Sequence, residues 1–198
     1  MPGGRPRAFD PDAALDRALE VFWRQGYEGT SLSDLTTAMG INRPSLYGTF
    51  GNKEELFAKV LERYVGGPGA FAAEALEAPT VREVAERLVR GAVELTSGPG
   101  TPGGCLNVKS VHACGPDSAP ARQAAIDCRK AGETALRRRL EQAPDLPPGQ
   151  DPATLARLLH TITDGIAVQA AGGRPHDELS EIAELALRAL LPPDGSAS

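Results

Sequence analysis

Apolar positions recur every three or four residues along almost the whole chain, and nowhere with the strict alternation of a half-buried strand. The pattern predicts an all-α protein, and capping residues mark where its helices begin. Asp10 followed by Pro11 opens the first, whose stripe holds Leu15, Leu19 and Phe22 beside Ala14, Ala18 and Val21; Gly26 stops it. Ser31 opens a second, short helix with Asp34 as capping-box partner, ending near Gly40. Asn42 opens a third over residues 43–48. Asn52 opens a fourth over 53–64, with Glu55 completing a capping box and Leu56, Val60 and Tyr64 on one face.

A Gly/Pro-rich stretch from Val65, VGGPGAFAAEALEAP, predicts a boundary with one short helical piece inside it. Residues 1–65 then form one domain and 66–198 another. The second reads as helices over 80–97, 106–114, 118–142, 152–171 and 177–191. The last two are apolar over more than one stripe, with Leu155, Leu158, Leu159, Ile162, Ile166 and Val168, then Leu179, Ile182, Leu185 and Leu190. Helices this apolar need a second surface, and two copies pairing through them make a four-helix bundle. Ile162 and Leu185 are expected on that homodimer surface.

Charge sharpens the picture. The chain carries a formal net charge of −5, with −1 on residues 1–65 and −4 on the remainder, so no basic coat covers it. Any nucleic-acid contact must come from a few placed cations. Two stand out, because Arg43 and Lys53 each sit at a helix N-terminus, where the dipole makes a cation cost roughly 0.3–1 kcal/mol. The helix from Arg43 has too few turns to persist alone. With the short helix before it and the glycine-ended turn at Gly40-Ile41, it fits a helix-turn-helix. In that motif the second helix enters the DNA major groove. Arg43 then meets guanine or phosphate, and Lys53 meets a phosphate beside helix N–H groups. Arg5 and Arg7, flanking Pro6 at the N-terminus, suit an arm reaching into a minor groove.

Residues 13–57, AALDRALEVFWRQGYEGTSLSDLTTAMGINRPSLYGTFGNKEELF, resemble the TetR/AcrR family of bacterial regulators. The shared features are Phe22, Gly26-Tyr27, Thr30-Ser31, Leu35, Gly40, Ser45-Leu46-Tyr47, Phe50, Lys53-Glu54 and Leu56. The resemblance implies an N-terminal three-helix DNA-binding domain and a C-terminal helical domain for ligand binding and dimerisation. It also implies a homodimer on a palindromic double-stranded operator, and repression released by a ligand. By motif position Thr30, Ser45, Tyr47 and Lys53 correspond to phosphate-backbone contacts, Arg43, Pro44 and Thr49 face the groove, and Ser31 is expected among the DNA-binding residues. Tyr47 is expected to pack its ring between helices with its hydroxyl on phosphate. Asn42, Thr49 and Thr36 depart from the commoner family residues.

For the effector, the segment 80–170 offers Leu88, Leu95, Leu106, Val108 and Val111 as apolar walls, and Cys105, Asn107, His112 and Thr163 as polar contacts. A small, largely apolar molecule is the expected ligand. The alternative is a thiol- or metal-responsive regulator sensing through Cys105, His112 and Cys114 in GGCLNVKSVHAC. Their spacings of seven and two residues match no standard zinc pattern, so no metal site is expected. No G-x-S-x-G, H-E-x-x-H, P-loop or dinucleotide fingerprint occurs, so neither an enzyme nor a cofactor is expected. His160 and Asp164, one helical turn apart, read as a buried hydrogen bond or dimer contact. No apolar run approaches the roughly 20 residues of a membrane span, and the N-terminus lacks a signal-peptide core. A cytoplasmic protein with reduced thiols is expected.

Overall fold

The computed structural model describes residues 9–113, 115 and 118–191, those at 112 and 113 by their backbone alone. Among these the chain forms ten helices and no strand. They are α1 (Pro11–Gly29), α2 (Leu32–Met39), α3 (Arg43–Phe50), α4 (Lys53–Gly66) and α5 (Phe71–Ala75). There follow α6 (Val81–Ser97), α7 (Leu106–Ala113), α8 (Ala119–Glu141), α9 (Pro152–Ala171) and α10 (His176–Leu190). The all-α expectation holds. Arg5, Arg7 and Cys114 lie outside the described residues, as does the His112 side chain.

The expected start signals are in place. The Asp10 carboxylate accepts from Asp12 N–H at 2.9 Å, and Ser31 with Asp34 and Asn52 with Glu55 form complete capping boxes. Gly26, at φ 73°, breaks α1 and the chain turns once more before α2. That turn folds Tyr27 back so that its ring stacks on Phe22 at 6.0 Å, and both rings meet Phe57 edge-on at 5.1 and 5.0 Å. Burying each such ring is worth about 1.5–3 kcal/mol. A two-toothed ion pair, Arg63 to Asp16 at 2.7 and 2.9 Å, fastens α4 to α1 outside this aromatic core.

The core built by α1–α4 also contains Leu106 of α7 and Ala121 and Ala125 of α8. Packing therefore crosses the Gly/Pro-rich stretch. A second core joins α5, α6, α8, α9 and α10 through Val84, Val89, Leu136, Leu140, Leu159 and Leu179. Arg139, near the end of α8, donates to the carbonyls of Leu76 and Ala78 at 3.0 and 2.7 Å and so holds the segment leading into α6. Ile162 is half-buried and packs against this second core. Leu185 is 62% exposed, with Leu158, Val168 and Ile182 also exposed on α9 and α10.

Candidate nucleic-acid interface and effector cavity

Helix α3 buries only Leu46 and Phe50, which leaves its other side to solvent. It is entered through Gly40, left-handed at φ 68°, whose turn returns the Ile41 N–H to the Thr36 carbonyl at 3.1 Å. The Asn42 carboxamide oxygen accepts from Ser45 N–H at 2.9 Å and sets the first turn. Arg43, Pro44 and Tyr47 stand exposed on one outward face, with Ser45 and Thr49 half-buried beside it. Lys53 is half-buried, and its ammonium sits 4.2 Å above the Tyr27 ring. Cation–π attraction offsets part of the dipole cost there.

Three expected contacts look different in the fold. Thr30 is only 1% exposed, and its hydroxyl donates to the Gly26 carbonyl at 2.7 Å, where it braces the α1 break rather than facing outward. The Ser31 hydroxyl is exposed but engaged with the Asp34 carboxylate at 2.6 Å. The Tyr47 ring is 49% exposed, so it does not pack between helices.

A cavity of about 420 Å³ opens between α4, α5, α6, α7, α8 and α9. Of the residues expected to line it, Leu88, Leu95, Cys105, Asn107, Val108 and Thr163 do so. Leu106 and Val111 turn the other way and pack into the α1–α4 core, because α7 is shared between the two cores and shows each a different face. The walls that sequence reasoning missed come from α4, α5, α8 and α9: Tyr64, Phe71, Cys128, Arg129, His160 and Asp164. The only signal for them was the polar character of α8 opposite the lone Asp164 of the apolar α9. Arg129 grips Asp164 with two nitrogens, one at 2.6 Å, and the charge of Asp164 also acts on His160. The carboxylate at its side holds the Arg129 guanidinium above its usual range.

Burial governs the remaining groups. It pushes the Cys128 thiol up, against the hydrogen bond from Asn107. It pushes Tyr64 up as well, and the Tyr64 hydroxyl donates to Cys105 Sγ at 3.3 Å. It brings Lys109 down. Burial also lowers His160; Asp164 and Glu133 oppose the shift, and Arg129 adds to it.

Cavity and helix-turn-helix unit touch directly. The turn at Gly103 and Gly104, both at positive φ, presents the Gly104 carbonyl to the indole N–H of Trp23 at 2.8 Å. Lys109 Nζ donates to the Trp23 carbonyl at 3.1 Å, and the Trp23 ring meets Tyr64 edge-on at 5.1 Å. Trp23 belongs to α1, Tyr64 to α4, and Cys105 to the cavity wall.

A helical bundle with an outward-facing helix-turn-helix and an internal cavity defines a class of regulators, and sequence comparison specifies which. A family model, that of the bacterial regulatory proteins of the tetR family, matches residues 14–60. The chain is 35% identical to the HTH-type transcriptional repressor ComR of Escherichia coli strain K12 over 190 residues, 93% of this chain and 90% of ComR. It is 30% identical to the repressor BdcR of the same strain, over 94% of this chain and 92% of BdcR. The TetR family transcriptional regulator CifR, solved as a cysteine mutant complexed with 26-base-pair operator DNA, superposes with a TM-score of 0.88. Its identity is 40%, over 93% of this chain and 99% of that one. The chain belongs to the TetR family. Among the described residues no helix is long and apolar enough to cross a membrane.

The lowered His160 pKa predicts a pH dependence. The folded protein keeps this imidazole neutral, so its contribution to stability is complete above about pH 6.5, the ordinary value. It is lost as pH falls toward the depressed folded pKa, because the unfolded chain takes up the proton first. Urea midpoints measured at neutral pH and at about pH 5.5 should fall further for wild type than for His160→Gln. Equal losses would show that His160 does not titrate differently on unfolding.

Proposed function

We propose that this protein is a dimeric, ligand-responsive repressor, released from its operator by a small, mostly apolar molecule bound in the cavity between α4 and α9. Residues 1–65 serve as the DNA-binding part, 66–198 as the effector and dimerisation part, and the protein acts on DNA in the cytoplasm. The observation that carries the reading is the Trp23–Gly104 and Tyr64–Cys105 seam. Through it a change in the cavity wall reaches α1 and α4 without passing along the Gly/Pro-rich stretch. The repressor names of ComR and BdcR and the operator complex of CifR support the DNA-binding half.

In this reading Arg43, Pro44 and Thr49 face bases while Ser45, Tyr47 and Lys53 meet phosphates. Thr30 and Ser31 act by bracing the entry to α2. A ligand that fits the cavity best when α1 and α4 have shifted disfavours the operator-bound geometry. A preference of about 1–3 kcal/mol is enough to change operator affinity roughly 5- to 150-fold. The exposed Leu158 and Val168 of α9 and Ile182 and Leu185 of α10 support a four-helix-bundle dimer. Such a dimer would hold two α3 helices about one DNA turn, roughly 34–36 Å, apart.

Arg43→Ala is expected to relax base preference at one position per half-site by about 1–3 kcal/mol, while Lys53→Ala weakens all sequences alike and flattens the salt dependence. Selection of binding sites from random DNA, with affinities at two salt concentrations, checks both. Unchanged specificity in Arg43→Ala would remove it from the groove.

Leu185→Glu is expected to give monomers with weak operator binding, because a charge would be buried at the bundle interface. Sedimentation of an intact dimer would move the interface off α10.

A second reading has one observation in its favour. Cys105 lies on the cavity wall and accepts the Tyr64 hydroxyl. A thiol-reactive effector would use these features. Operator release by apolar compounds should survive in Cys105→Ser. Release by a thiol oxidant alone, abolished in that variant, would make the thiol the sensor.

A further inference from the structure

We propose that Tyr27 is a positioning residue for DNA binding, its ring holding the Lys53 ammonium at the start of α4 for a backbone phosphate. The proposal rests on reading Lys53 as a phosphate contact, and it adds a residue too deeply buried, at 4% exposed, to meet DNA itself. Several observations bring ring and charge together. The break at Gly26, φ 73°, takes Tyr27 off the line of α1. Its ring is then clamped, stacked on Phe22 at 6.0 Å and met edge-on by Phe57 at 5.0 Å. Phe57 follows Lys53 by one turn of α4, so the two stand on the same face of that helix. One aromatic ring meets both, with the Lys53 Nζ 4.2 Å from its centroid. The capping box fixes the turn that carries the lysine: Asn52 N–H donates to the Glu55 carboxylate and Glu55 N–H to the Asn52 carboxamide, each at 2.8 Å.

Electrostatics give the ring its role. A phosphate at a helix N-terminus is favoured by the dipole, but the same dipole repels a lysine ammonium placed there. Without a partner, the long lysine stem would turn outward, and DNA would have to immobilise it on binding. The face of an aromatic ring attracts an ammonium and, unlike a carboxylate, does so without cancelling its charge. Tyr27 therefore holds Lys53 near the helix end in a form still able to attract an anion. Ordering the side chain before DNA arrives removes that cost from the complex. An ammonium carries three N–H donors, so a ring face on one side and phosphate oxygens on another are compatible.

The test is the affinity of the full-length protein for a duplex bearing the site that wild type selects from random DNA, read by fluorescence anisotropy at several salt concentrations. Tyr27→Phe keeps the ring and is the reference. The same substitution made with phenylalanines carrying one, two or three ring fluorines keeps nearly the same volume while drawing charge from the ring face. Binding is expected to weaken with each fluorine, by about tenfold for three, and Tyr27→Leu to cost at least as much. In a Lys53→Ala background, itself weaker and less salt-dependent, the fluorines should make no difference. Indifference to fluorine with Lys53 present, or equal fluorine losses in Lys53→Ala, would overturn the role of Tyr27 and leave Lys53 as a phosphate contact. Unchanged affinity and salt dependence in Lys53→Ala would overturn both. If leucine prevents folding, the fluorinated series decides alone, because it leaves the packing in place.

Discussion

The indole N–H of Trp23 would be a buried donor without water, and the fold meets its need with a carbonyl from a distant turn, that of Gly104. A buried N–H left unpaired costs about 1–3 kcal/mol, so wherever Trp23 packs, Gly104 must come with it. Gly104 can do so because it has no side chain. At its φ of 72° a Cβ would lie 2.9 Å from that of Ala171 and 3.0 Å from Lys109 Cε. Its own N–H is held by the Thr96 carbonyl at 2.8 Å. One hydrogen bond thus ties α1 to the end of α6, the start of α7 and the flank of α9. The cavity and the helix-turn-helix share a wall because of it.

That shared wall explains why neither core stands alone. Leu106, Ala121 and Ala125 belong by position to the second half of the chain but fill the core of the first. Tyr64 closes the cavity from α4 while its ring rests on Trp23. The space around Cys105 and the seam that positions α1 and α4 are therefore bounded by the same side chains. Energetic coupling needs such contiguous packing with two available arrangements, and a close-packed interior transmits small shifts rather than absorbing them.

The surface that faces outward follows a different economy. Helix α3 carries too little apolar area to be held by its own burial, so caps and turns hold it: Asn42 at its start, the Gly40 turn before it, and Gly51 after it. Gly51 has φ 81°, and a Cβ there would meet the Glu55 carboxylate that completes the next capping box. The outward residues are consequently free of structural duty. Arg43, Pro44 and Tyr47 stand exposed, while Thr30 and Ser31, adjacent in sequence, are bound into the scaffold.

What the chain declares by itself is where helices start and stop, since these are local decisions. Asp10-Pro11, Ser31 with Asp34, Asn52 with Glu55, and the glycines at 26 and 40 act within a few residues of themselves, and the structure obeys each. The helix-turn-helix was legible for the same reason. Which face of a helix turns toward which neighbour is not local. Leu106 and Val108 are equally apolar and two residues apart, yet one enters the first core and the other the cavity, because α7 lies between them. Ile162 shares the apolar face of α9 with the exposed Leu158, yet the way α9 lies in the bundle turns it half inward, against the second core. Thr30 reads as a surface hydroxyl until the break at Gly26 offers it a carbonyl. Periodicity sets the stripes on each helix, and only packing among all ten decides which stripe faces inward.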